Sequence, residues 1–210
     1  METGQVGIVR GEEELFARTA HLFAAATELA CAANDLNTWA ASRQAPAADG
    51  PMPKLRKLYR PGVLLNPSSA QHLRARQDAG AEIRITRDEV NEVILLDRRV
   101  AILAGDLVDG RRTYSVLTEP SVVQGVTSLF EATWRAGTPL AVYDAEHAEL
   151  GTLAPRVLEL LGSGCKDETA ARTLGLGVRT YRRRVAELMD ALGADSRFQA
   201  GVRARELGLI

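Results

Sequence analysis

The sequence predicts an α+β N-terminal domain, a small sheet with helices, followed by an all-α domain of four short helices. Three observations carry that expectation. Short apolar runs with strand character alternate with helical segments up to about residue 140. Beyond residue 150 every apolar repeat has the helical period. The charge is also divided: within 151–210 ten basic side chains stand against seven acidic ones, +3, while the rest carries 16 against 20, −4, in a chain of 210 residues and net charge −1. The expected division is a sensor or dimerisation domain over 1–140, a linker over 141–150 and a DNA-reading domain over 151–210.

Composition removes several function classes. With 46% hydrophobic and 25% charged residues the chain has enough apolar surface to bury a core, which excludes wholesale disorder. No apolar run approaches the ~18 residues of a membrane helix, so no membrane partner is expected. The N-terminus lacks a basic region followed by an apolar run, so no secretory signal is expected and the location is read as cytoplasmic. Cys31 and Cys165 lie far apart, which argues against a disulfide scaffold or a cysteine zinc site; no metal and no cofactor are expected.

Taken in order, residues 12–36 read as one helix, with Leu15, Leu22, Leu29 and Leu36 recurring every seven residues. This is compatible with a coiled-coil seam between two chains, making Leu15, Leu22 and Leu29 dimerisation candidates, or with one long helix packed on its own domain. The Ala-, Pro- and Gly-rich stretch 43–53 reads as a loop. Leu58 to Leu65 reads as extended. Asn66-Pro67 has the form of a helix cap followed by proline in the first turn, with Gly80 closing that helix. Strands are expected at 81–85, 93–96, 100–103 and 114–117, with Asp97-Arg98-Arg99 as a hairpin turn. Thr118-Glu119-Pro120 opens a helix reaching about Arg135, whose expected buried face is Val122, Val126, Leu129, Phe130 and Trp134.

The C-terminal helices are expected at about 154–163, beginning near Pro155 because proline breaks a helix interior, then 167–174, 178–192 and from Asp195-Ser196 to near Gly208. Helix, glycine-containing turn and helix is the helix-turn-helix plan, in which the second helix enters the major groove of double-stranded DNA. That helix starts with Arg179, Thr180, Tyr181, Arg182, Arg183 and Arg184. Four arginines at a helix N-terminus repel one another and oppose the helix dipole, so the pattern makes sense where an anion sits. The arginine fork pairs bidentately with phosphate and with guanine edges.

The stretches Val157–Gly164, Glu168–Leu176, Val178–Arg183 and the closing Leu192-Gly193-Ala194-Asp195-Ser196-Arg197-Phe198-Gln199-Ala200 resemble the LuxR-type helix-turn-helix domain over about sixty residues. The resemblance implies that Arg182, Arg183 and Ala186 face bases and that Lys166, Arg179 and Thr180 meet phosphates. It also implies that the last helix, roughly Ser196–Arg205, dimerises, which brings in Phe198 and Val202. The sequence departs from the family at its opening, at Lys166, where Asp167 is expected to cap instead, and at Gly177, where a capping Ser is common.

Gly80–Arg84, Val93–Ile102 and Leu129–Trp134 resemble the phospholipase-D-like effector domain of TrmB-type regulators. Catalysis in that fold uses His-x-Lys-x-x-x-x-Asp. Counting back from Asp97 puts Val90 at the His position and Glu92 at the Lys position, and neither His21, His72 nor His147 has the spacing. A non-catalytic domain is therefore expected, binding a small-molecule or peptide effector or forming a homodimer. Tyr59, Arg60, Arg84 and Trp134 are candidate pocket residues; the alternative is that Trp134 is core and the arginines are surface. The combined expectation is a DNA-binding transcriptional regulator. The alternatives are a regulator acting mainly through RNA polymerase or another protein, or a phospholipase-D-like phosphodiesterase.

Overall fold

A computed structural model describes residues 6–36 and 53–210. The expected loop at 43–53 falls, except for Pro53, outside the described residues. An eight-stranded mixed sheet forms the N-terminal half: β1 (Val6–Arg10), β2 (Glu28–Ala33), β3 (Lys54–Tyr59), β4 (Glu82–Ile85), β5 (Val93–Leu96), β6 (Val100–Val108), β7 (Arg111–Leu117) and β8 (Thr138–Pro139). The spatial order is β1-β7-β6-β5-β2-β3-β4-β8, with β2, β3 and β4 parallel to one another and the other neighbours antiparallel. The sheet is larger than expected, because β1, β2 and β8 give no clear alternating signal.

The helix expected over 12–36 is two elements. Helix α1 (Glu12–Ala25) ends before Ala26, and the rest becomes β2. The run Leu29–Ala33 is apolar on both faces because β2 sits mid-sheet between β3 and β5, where helical and strand periods cannot be told apart. Leu15 is only 1% exposed and Leu29 lies in β2, so no seven-residue seam through Leu15, Leu22 and Leu29 exists for a second chain. Leu58 and Tyr59 end β3, but Pro61–Leu65 is a buried 3-10 helix rather than extended chain.

Helix α2 (Pro67–Asp78) starts as expected, with the Asn66 side chain accepting from the Ser68 and Ser69 N–H groups. At the β5–β6 hairpin Asp97 and Arg98 both take positive φ. Helix α3 (Pro120–Ala136) is capped by Glu119, which accepts from the Val122 N–H. Its buried face is Val123, Thr127, Phe130 and Trp134; Val122 and Leu129 point outward, Leu129 being 68% exposed. The apolar count alone put the face about one residue out of phase, since valine and leucine occupy both sides of this helix.

The two sheet faces alternate strictly. One carries Cys31, Tyr59, Ile83, Ile94, Ile102 and Val116 against Leu15, Leu73, Leu140 and Tyr143. The other carries Ala30, Ala32, Leu58, Val93, Leu95 and Ala101 under Val123, Phe130 and Trp134 of α3. Arg56, 7% exposed, pins α3 to the sheet: its guanidinium donates to Glu28 at 2.8 Å and to Glu131 at 2.9 and 3.1 Å, and lies 5.4 Å from the Phe130 and Trp134 rings.

Residues 141–150, expected as a linker, are helical. Helix α4 (Leu140–Gly162) runs through them and through Pro155. Its start buries Leu140 and Tyr143 in the sheet core, and its later turns bury Leu150, Ala154, Val157 and Leu158 in the C-terminal core. Burying a large aliphatic or aromatic side chain is worth about 1.5–3 kcal/mol, so the five larger ones outweigh the ~3 kcal/mol an interior proline costs. Helices α5 (Asp167–Thr173), α6 (Val178–Leu192) and α7 (Arg197–Glu206) complete that core, which also takes in Leu65 of the 3-10 helix.

Candidate nucleic-acid interface

Helices α5 and α6 meet at a tight turn. Gly175 takes φ +67°, the left-handed region that glycine enters without strain, and the Leu176 N–H bonds back to the Ala171 carbonyl at 2.8 Å. Helix α6 then buries Tyr181, Val185, Leu188, Ala191 and Leu192. On a 3.6-residue period those positions fix the opposite face, which carries Arg179, Arg182, Arg183 and Ala186, all exposed. Lys166 is exposed at the N-cap of α5 and Thr180 is half-buried.

Two of the expected contacts turn inward. The Tyr181 ring is fully buried in the helical core, so it supports the interface from below and offers no atom to DNA. The Arg184 side chain is 14% exposed and bonded to Glu187 at 2.8 Å and to Glu149. It lies three residues from Tyr181 and four from Leu188, on the rim of the buried face, where the period alone places it. Its partner Glu149 belongs to α4, within the segment expected as a linker.

Asp167 does not cap α5. Its carboxylate accepts from Arg182 Nε at 2.8 Å and from Arg197 Nη2 at 3.0 Å. The Arg182 hydrogen bond is the chief cause that holds the Asp167 carboxyl below its ordinary value, working against burial. Glu168 lies 3.7 Å from Arg182, and Arg183 is 3.6 Å from Glu187. Among the described residues no acid pairs with Arg179 or Lys166. Asp167, which orients Arg182 and also accepts from Arg197, gives no signal in the sequence, since an acid fifteen positions before an arginine leaves no periodic pattern.

Helix α7 begins at Ser196, whose hydroxyl accepts from the Gln199 N–H at 3.1 Å while Gln199 Oε1 accepts from the Asp195 N–H. Ala200 and Ala204 face the core; Phe198, 84% exposed, and Val202 point outward at i, i+4 spacing.

In the sheet domain the four candidate pocket residues do not converge. Tyr59 is buried in one face. Trp134 is buried in the other, with Arg84 5.1 Å from its ring and donating to the Trp134 and Gly137 carbonyls. Tyr59 also lines a pocket on its own face with Cys31 and His72, whereas Arg60 lines a different cleft. Asp97 is occupied by the Thr27 hydroxyl and by the Thr27 and Glu28 N–H groups, which outweigh burial and lower its carboxyl. Glu92 accepts from the Asn34 N–H and from Arg112 at 3.3 Å. Burial pushes the Cys31 thiol up to about 12, which keeps it a packing group. Among the described residues no cluster of three or more His, Cys, Asp or Glu is placed to hold a metal, and no helix is long and apolar enough to cross a membrane.

No known family model matches the chain. It is 32% identical over 145 residues to the bialaphos biosynthetic pathway regulatory protein of Streptomyces hygroscopicus. That match covers 69% of this chain and 57% of the relative, so the chain spans a little over half of that protein's length. Among solved structures it is similar to TrmBL2, an archaeal chromatin protein described as showing a novel mode of DNA binding (17% identity, 66% of this chain and 55% of that one, TM-score 0.47). It is also similar to the phospholipase D family member Nuc of Salmonella typhimurium (10% identity, 64% and 98%, TM-score 0.46) and to NucT of Helicobacter pylori (8%, 64% and 98%, TM-score 0.47).

Proposed function

We propose that the chain is a DNA-binding transcriptional regulator of the LuxR helix-turn-helix kind, reading double-stranded DNA through α6. The carrying observation is the outward face of that helix, where Arg179, Arg182 and Arg183 are exposed beside a tight glycine turn. The likeness to a pathway regulatory protein supports the same reading. Arg182 and Arg183 meet base edges, while Arg179, Thr180 and Lys166 meet phosphates. The chain acts in the cytoplasm as a homodimer through Phe198 and Val202, presenting two reading helices about 34 Å apart to a pseudo-palindromic site. The sheet domain, TrmB-like and without the His and Lys of phospholipase D chemistry, senses an effector rather than cleaving a phosphodiester.

Selection of bound sites from random DNA with the purified chain tests this reading. Symmetric enriched sites are expected, and a flat selection would sink it. On the enriched site Arg182→Ala should weaken binding by about 1–3 kcal/mol and blur one base preference, whereas Arg179→Ala should weaken all sequences alike and flatten the salt dependence. A second reading gives the exposed Phe198 to RNA polymerase or another protein instead of to a second copy, and a flat selection combined with retained promoter activation would favour it.

A further inference from the structure

The two halves touch through a pair of glycines. A side chain on Gly62 would meet Leu207 Cδ1 at 2.8 Å, and one on Gly193 would occupy the space where the Arg60 guanidinium lies. Beside this close contact the surfaces part and leave a cleft of about 680 Å³, within the range of small-molecule sites. One wall comes from the carboxyl ends of the parallel strands β2 and β3, with Asn34 and Arg60, and from the loop entering β5, with Glu89 and Asn91. The other is the end of α6, with Leu192, and α7, with Arg203. Crevices at strand carboxyl ends and at domain junctions are where open α/β sheets bind ligands.

The charges select the ligand. Arg112 is engaged by Glu92, and Arg203 by Glu206 at 3.1 Å. Among the described residues no carboxylate pairs with Arg60, and no cation pairs with Glu89. Arg60 rests instead against the carboxyl end of α6, whose dipole favours a cation. Four carboxylates, Asp35, Glu89, Glu92 and Glu206, against three arginines disfavour a polyanion.

We propose that this cleft is an effector site for a small zwitterion, an amino acid or short peptide, whose carboxylate pairs with Arg60 and whose ammonium meets Glu89. Its effector role and its action on α6 rest on the regulator reading, whereas the binding itself does not. The ligand competes with the end of α6 for Arg60 and bridges the two halves, so its binding is felt at the base of the DNA-reading helix.

The test measures ligand binding without DNA. The full chain is titrated with L-glutamine and glycyl-L-glutamine, and with citrate and inorganic phosphate as contrast. At least one zwitterion should raise the unfolding midpoint by about 3–6 °C at about ten times its Kd. Arg60→Gln should abolish that shift and Arg98→Gln, on the distant β5–β6 hairpin, should keep it. Asn91→Ala should weaken binding several-fold with the unliganded midpoint unchanged, which keeps the test valid if Arg60→Gln folds poorly. Hydrogen exchange should slow on both walls, at 89–92 and 203–207. No shift with either zwitterion, an equal shift with the polyanions, or protection of one wall only would overturn the proposal, whatever the outcome of the DNA selection.

Discussion

Arg182 works under restraint. Asp167 holds it with Arg197 in a fork of two charge-assisted bonds, so the Arg182 side chain is not free in the fold. The Nε–H bond leaves the four Nη hydrogens of Arg182 for a phosphate or a guanine edge, but it sets the Asp167 carboxylate beside that anion. Asp167→Asn should therefore tighten binding to random DNA and steepen its salt dependence, as gel shifts over a salt series would read; weaker binding would mean that Asp167 positions Arg182 rather than withholding it. The same carboxyl is depressed in the fold. A depressed carboxyl contributes stability above its unfolded value and loses it as pH falls through its folded value. Urea unfolding of wild type and Asp167→Asn should differ at neutral pH and converge on acidification below the ordinary carboxylate range.

At the scale of elements, Gly193 ends α6 with φ +64° and its N–H bonded to the Met189 and Asp190 carbonyls. Replacing it with alanine should cost about 1–2 kcal/mol from the left-handed backbone alone, with Arg60 pushed aside as well; unchanged denaturant unfolding would contradict that backbone strain. Helices with a polar side were legible in the sequence: the caps at Asn66 and Ser196, the glycine turn at 175 and the α6 stripe all follow from local chemistry. Elements buried on every side were not. Segment 28–33 is apolar in both periods, and its strand identity comes from β3 and β5 on either side of it. Within the candidate site, Arg179, Arg182 and Arg183 were legible from α6 alone. Arg184 needed Glu149, which belongs to a helix the local signals placed outside any element.

For the whole molecule, the expected linker decides the behaviour. Leu65 of the 3-10 helix packs among α4, α6 and α7 residues, and α4 shares its side chains between both cores. The halves are therefore expected to unfold together, with a single calorimetric transition whose van't Hoff and calorimetric enthalpies agree. Leu65→Ala should cost about 2–5 kcal/mol and lower that one transition; two separated transitions in the wild type would show that the halves are energetically independent.

An unbroken α4 also makes the orientation of the C-terminal helices a matter of phase. Each residue added between Tyr143 and Leu150 would swing everything beyond it by about 100° and advance it by about 1.5 Å, so one extra residue points α6 elsewhere while a full turn nearly restores its bearing. A flexible tether would absorb the same insertion unnoticed. In this chain the angle between the sheet domain and α6 is set by helical geometry, and evolution can retune it only in steps.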